Sequence, residues 1–189
     1  MAVPWSRVAR RIRVPAGFVF AAFFLWLARP TVEFLLLSLI LVVPGLLLRG
    51  YASGYVQKNE ELTVGGPYAY TRNPLYLGSM TMAFGFAVAA RSVSIAAAMV
   101  ALFAAIYVPT IRGEEEYLRG KFAEFGAYAR RVPRLLPRLR AARGMKLVEG
   151  RFSGALYGKH REYNALMGAA SMYAALILKM VWMTKRGAV

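Results

Sequence analysis

Five apolar runs limit what this chain can fold into: residues 16–28, 31–48, 75–90, 95–111 and 164–183. In a bilayer core about 30 Å thick, every backbone polar group must be satisfied within the protein, so lone spanning segments are helices. The expected fold is all-α, a polytopic membrane helix bundle of about five transmembrane helices, forming one domain over 1–189. At 58% apolar residues the chain is too hydrophobic for an ordinary soluble domain. Only Arg29-Pro30 separates the first two runs, which therefore read as a tight hairpin. The first run is short for a bilayer, so its ends are expected to extend. Arg7, Arg10, Arg11 and Arg13 before that run give the layout of a signal peptide. The immediate start of the second run favours the hairpin. Lys179 interrupts the last run and is expected to snorkel to the outer interface.

The net charge of +16 is placed unevenly. With the N-terminus inside, 20 basic residues fall on the inner side, and four (Arg29, Arg91, Lys185 and Arg186) fall outside. The positive-inside rule then puts the N-terminus, the 49–74 connection and the 112–163 segment in the cytoplasm, as in a bacterial-type inner membrane. The excess charge faces an anionic leaflet and needs no nucleic acid partner. Arginines from Arg130 to Arg143, interleaved with Leu135, Leu136 and Leu139, read as a membrane-surface strip. The chain has no cysteine and one histidine, His160, which excludes a thiolate nucleophile, a disulfide framework and a multi-histidine metal site. His160 itself reads as solvated. No glycine-rich dinucleotide fingerprint follows a strand, so a Rossmann methyltransferase domain is not supported.

Between the second and third runs lies the densest polar and aromatic stretch, Gly65-Gly66-Pro67-Tyr68-Ala69-Tyr70-Thr71-Arg72-Asn73-Pro74-Leu75-Tyr76-Leu77-Gly78. Pro67 and Pro74 each bias the preceding residue away from helix, and Pro74 suits a first helical turn. The stretch is expected to be an ordered loop that enters a helix at the membrane face, where free N–H groups favour an anion. The topology puts it beside a second segment, Ile111 to Arg134. There the spacing predicts one continuous helix over 113–131, with Glu114, Glu115 and Glu116 in its first turn and Arg130 and Arg131 in its last. Leu118, Phe122 and Phe125 form an apolar stripe that includes Glu114, so Glu114 is expected to face the bundle. Glu115, turned about 100° away, is expected to pair with Arg119 in solvent.

Taken in order, Gly66-Pro67-Tyr68, Arg72-Asn73-Pro74-Leu75-Tyr76, Glu114-Glu115, Tyr128 and Val132-Pro133-Arg134 resemble the isoprenylcysteine carboxyl methyltransferase and phospholipid methyltransferase family. The resemblance covers about 49–137 and takes in Arg49, Ala52, Gly54 and Lys58. Asn73 stands where many relatives carry histidine, and Phe122-Ala123 where Phe-Gly is common. The resemblance implies an integral membrane enzyme that uses S-adenosyl-L-methionine. It implies catalytic roles for Arg72, Glu115 and Arg134, and a cofactor pocket lined by Tyr68, Arg72, Asn73, Pro74, Tyr76, Glu114 and Glu115. Carboxylates suit the cofactor's ammonium and sulfonium, and backbone N–H groups its carboxylate. The acceptor is expected to be a lipid or lipophilic small molecule from the bilayer, most like a prenylcysteine carboxylate. A phospholipid amine, a small thiol, or a non-enzymatic carrier or scaffold remain as alternatives.

Overall fold

The computed structural model describes residues 17, 19–57, 60–142 and 151–186. Arg7 to Arg13, Lys58 and Arg143 lie outside the described residues. The described chain is helical without strands. α1 covers residues 19–27, and after Arg29-Pro30 the chain turns back into α2, Val32–Ser53. A 3-10 turn, Gly66–Ala69, precedes α3, Pro74–Ala90. α4, Val93–Leu102, passes through a π-helical segment, Phe103–Tyr107, into α5, Val108–Lys121. Then come α6, Phe125–Arg131, α7, Gly154–Lys159, and α8, Tyr163–Lys185.

Among the described residues, three helices are long and apolar enough to cross a bilayer: Val32–Ser53, the continuous Val93–Lys121 helix and Tyr163–Lys185. Pro74–Ala90 is a shorter apolar helix. Four of the five expected runs are thus apolar helices, and the fifth, α1, is helical as far as it is described. Outward-facing aliphatic residues such as Leu36, Ile40, Leu47 and Leu178 suit a lipid-facing surface.

Arg49 meets Leu75 and Glu162, and Tyr76 meets Glu114, so the end of α2, the start of α3, the end of α5 and the start of α8 gather at one end of the bundle. At the opposite end a core forms from Phe24, Ala28, Leu35, Ala89, Ile95 and Leu176. The Arg29 N–H donates to the Ala90 carbonyl there at 2.9 Å, tying the first hairpin to the second. Lys179 reaches toward the end of α1, the side that the expected orientation puts outside. Its Nζ donates to the carbonyls of Leu25 and, at 2.8 Å, Trp26, so it caps the end of α1.

α2 and α3 pack closest, through small residues. A Cβ on Gly45 would lie 2.7 Å from the Gly78 carbonyl, and one on Gly78 would lie 2.8 Å from the Gly45 carbonyl. Such close backbone approach is the usual basis of helix association in lipid. It fixes the start of α3, and the loop before it, against the end of α2.

The 113–131 segment departs from expectation. The helix starts at Val108 as a continuation of the span, so no acidic residue lies in its first turn. It stops at Lys121, and Phe122–Glu124 form a turn before α6. Phe125 therefore does not extend the stripe. It turns back, 1% exposed, into a second core with Leu62, Val64, Tyr128 and Val132. Arg130 and Arg131 do occupy a last turn, but that of α6.

Candidate functional site

The 65–78 stretch is an ordered loop entering a helix at Pro74, as the prolines require. Gly66 has φ +54, a left-handed conformation, and the Tyr55 ring lies where its Cβ would be. The loop is stitched to the segment after α6. The Arg72 N–H donates to the Pro133 carbonyl at 2.9 Å, and Arg138 N–H to the Tyr70 carbonyl at 3.0 Å. Thr71 Oγ1 donates to the Leu135 carbonyl at 3.0 Å, and Tyr128 Oη to the Tyr68 carbonyl at 2.8 Å. Tyr128 and the segment from Val132 to Arg138 thus hold the loop in place.

Glu115 lies at the centre of this junction, 6% exposed. Its Oε2 accepts from Arg134 Nε at 3.0 Å and lies 2.8 Å from Arg134 Nη2. Its Oε1 accepts from Asn73 Nδ2 at 3.3 Å and lies 3.2 Å from Arg72 Nε. That last approach is close enough for charge pairing but off the line of a hydrogen bond, so Arg72 Nε is a buried donor without an acceptor. Arg72 Nη1 donates to the Ala129 carbonyl at 3.3 Å, and Asn73 Nδ2 also reaches the Arg134 carbonyl at 2.9 Å. The Glu115 hydrogen bond raises the Arg134 pKa above its ordinary value, although the side chain is half exposed. Glu115 is therefore not the solvated partner of Arg119. Its face is set by Ile111 and Leu118, at i−4 and i+3, and Ile111 is 3% exposed. Using Phe122 and Phe125 to define the stripe put it on the wrong side.

Glu114 faces the other way and is exposed. Tyr76 Oη donates to Glu114 Oε1 at 2.8 Å, and the Tyr76 ring meets Tyr107 edge-on at 5.6 Å. Tyr68, behind them, is 8% exposed, and burial holds its phenol above the usual tyrosine range. Glu162, Glu114 and Arg49 all act on it electrostatically. Pro74 is buried as the first residue of α3. Of the residues singled out in the sequence, Arg72, Asn73, Glu115 and Arg134 form a clasp around one buried carboxylate, Tyr76 and Glu114 stand at an open edge, and Tyr68 and Pro74 are buried.

Tyr107 also lines an apolar cavity of about 280 Å³ between α1, α3 and the α4–π segment. Phe86 and Met99 stand toward one end, Ser79 and Tyr107 toward the other. The π segment shapes this wall, a common use of such bulges. Its sequence signal is Pro109, which lacks an N–H and disturbs the turn before it. The sequence reading missed Ser79, Tyr107 and Glu162. His160 is not simply solvated, because its Nδ1 lies 3.1 Å from the Ser53 carbonyl.

Residues 48–124 match the family described as phospholipid methyltransferase. The chain is similar to the cobalt-zinc-cadmium resistance protein CzcN of Cupriavidus metallidurans, 38% identical over 94 residues, which are 50% of this chain and 43% of that protein. It is also similar to the nickel-cobalt-cadmium resistance protein NccN of Alcaligenes xylosoxydans xylosoxydans, 39% identical over 89 residues, 47% of this chain and 41% of the relative. The chain thus matches less than half the length of each of these curated relatives. No solved structure matches it.

Proposed function

We propose that this chain, whose residues 48–124 are a phospholipid methyltransferase-family domain in a membrane helix bundle, moves a methyl group from S-adenosyl-L-methionine to a lipophilic acceptor drawn from the bilayer. One observation carries the reading. The open carboxylate of Glu114 is held by Tyr76, and Tyr76 rests on Tyr107, a wall of the apolar cavity. A cation-binding edge and a lipophilic cavity therefore meet at one pair of aromatic rings.

The donor set fits the cofactor. An exposed carboxylate steadied by a phenol suits an ammonium or sulfonium group. Bound there, the cofactor supplies an electrophilic methyl group on a sulfonium that leaves as a neutral thioether. The chain's part is to position and to exclude water. Glu114 and Tyr76 orient the cationic end. The Arg72–Glu115–Arg134 clasp fixes the loop that carries Tyr68 and leads into the first turn of α3, where Tyr76 stands, so Arg72, Glu115 and Arg134 act through the loop rather than on the reacting atoms. Tyr68 stays neutral behind them. A carboxylate acceptor needs no general base, which agrees with a site whose buried carboxylate is committed to two arginines.

An amine acceptor would need a group to take its proton, and the buried Glu115 carboxylate is committed to two arginines. This favours a prenylcysteine-like acceptor over phosphatidylethanolamine. The charge count supports a cytoplasmic site. A part in metal resistance, carried over from the names CzcN and NccN, would run through a methylated lipid or small molecule. Among the described residues no group of three His, Cys, Asp or Glu is placed to hold a metal ion.

The test is purified full-length protein given methyl-labelled S-adenosylmethionine with a prenylcysteine, phosphatidylethanolamine and small thiols in parallel. Label in the prenylcysteine is expected. Label in none of them, on protein that also fails to bind the cofactor, would remove the enzyme reading.

A further inference from the structure

One hydroxyl on the lining of the apolar cavity is bonded to a cation behind it, and that cation already holds a carboxylate. Ser79 lines the cavity on α3. Arg49, near the end of α2, donates from Nη1 to Ser79 Oγ and, at 3.3 Å, to the Leu75 carbonyl. Its remaining edge takes Glu162 as a fork. Nη2 donates to Oε1 at 2.8 Å and to Oε2 at 2.9 Å, and Nε donates to Oε2 at 3.1 Å. This is the geometry by which a guanidinium recognises a carboxylate.

Glu162 comes from outside the family-matched segment, at the corner between α7 and α8. It is the N-cap residue of α8, yet its side chain makes no capping hydrogen bond and turns to Arg49 instead. Arg161 before it has φ 51, a left-handed conformation that costs a non-glycine residue energy. The corner is docked beside Arg49 by further contacts. Phe152 covers the bare face of Gly54, and the Ser153 N–H donates to the Gly54 carbonyl at 2.8 Å. The side chains of Arg49 and Glu162 are 23% and 11% exposed, so the pair is shielded but not sealed.

We propose that Arg49, with Ser79, is the head-group site for a single-chain amphiphile bearing a carboxylate, whose tail lies in the cavity. Glu162 fills that site as the chain's own carboxylate until the ligand displaces it. The proposal rests on the methyltransferase reading, since it makes the lipid carboxylate the group offered to the cofactor. The strained corner at Arg161 is where Glu162 swings clear. A permanent ion-pair staple between α2 and α8 would use the same contacts, but the two roles predict opposite signs. If Glu162 masks the site, apparent affinity falls in proportion to the fraction of time Arg49 is free, so removing the carboxylate tightens binding. If it is a staple, removal loosens the helices and weakens binding.

The experiment titrates a fluorescent fatty acid, and the matching fatty alcohol, into full-length protein in detergent without cofactor. Glu162→Gln is expected to bind the fatty acid at least about tenfold tighter than the unchanged chain, the gain set by the masked fraction. The alcohol should bind both alike. Adding Arg49→Gln should erase the gain. Glu162→Asp, one methylene shorter, should gain several-fold and serves if the Gln variant does not fold. Fatty-acid binding that is unchanged or weaker in both variants would overturn the proposal. S-adenosylmethionine titrated into the same samples separates the two readings. A failure there removes the methyltransferase function, while the fatty-acid result still judges the Arg49 site.

Discussion

Glu114 and Glu115 are neighbours on one helix and live in opposite surroundings. Glu115 is 6% exposed and grips two arginines and an asparagine. Glu114 is exposed and touches the hydroxyl of Tyr76. A pair that reads as one motif divides into a structural half and an open half. A 100° step along a helix suffices for this when one face meets a loop and the other does not. Under the proposed function, burial divides the roles: a carboxylate already shared by two guanidiniums has little capacity left for a ligand, whereas an exposed one keeps its capacity.

The comparison breaks most visibly at Glu115. Glu115→Gln leaves Arg72 largely buried without its counter-charge, and orphaning one partner of a buried pair costs about 3–5 kcal/mol. The exposed half of Arg134 brings the expectation toward the lower figure. Thermal unfolding in detergent should show a large loss of stability for Glu115→Gln and almost none for Glu114→Gln. Equal losses would mean that the two carboxylates are not divided. Arg134→Gln sharpens the same point at smaller scale. That side chain is 48% exposed, so its loss should cost about 1 kcal/mol.

Much of this architecture could be read from the residues. The apolar runs located the helices, and Pro67 and Pro74 located the loop and the start of α3. The division of the glutamates was readable in principle: Ile111, Glu115 and Leu118 lie at i, i+4 and i+7. It was missed because Phe122 and Phe125 were counted as helix, although the chain turns at Phe122–Glu124 to bury Phe125 under the loop. No local rule signals a turn driven by a distant apolar partner. The π segment had Pro109 as its signal. The Arg49–Glu162 pair spans 113 residues, and a single sequence offers no route to it.

A smaller effect separates the buried wall from the open edge by pH. Burial raises the Tyr68 phenol, and likewise Tyr128, above the ordinary tyrosine value. A group whose folded pKa is raised contributes stability below its unfolded pKa of about 10 and loses it as pH climbs past that value. Stability should therefore fall above about pH 10, and Tyr68→Phe should flatten part of that fall. An unchanged slope would place the Tyr68 phenol in water. Tyr76→Phe should leave stability unchanged at every pH and weaken cofactor binding several-fold, through loss of one hydrogen bond of about 1 kcal/mol.

Orientation can be tested alone. Leu139 is fully exposed in the basic strip, so Leu139→Cys should resist an impermeant thiol reagent in intact cells and react after lysis. Labelling in intact cells would invert the topology.

The central claim is that the open carboxylate, beside the arginine clasp and an apolar cavity, receives the cationic end of S-adenosylmethionine. Calorimetric titration of the cofactor into the folded full-length protein and its Glu114→Gln variant tests it most directly. The account predicts binding to the unchanged chain and a loss of about ten- to a hundred-fold in the variant, the value of one charge-assisted contact. Equal affinities would move the cofactor away from Glu114, and no binding to the unchanged chain at millimolar cofactor would contradict the account outright.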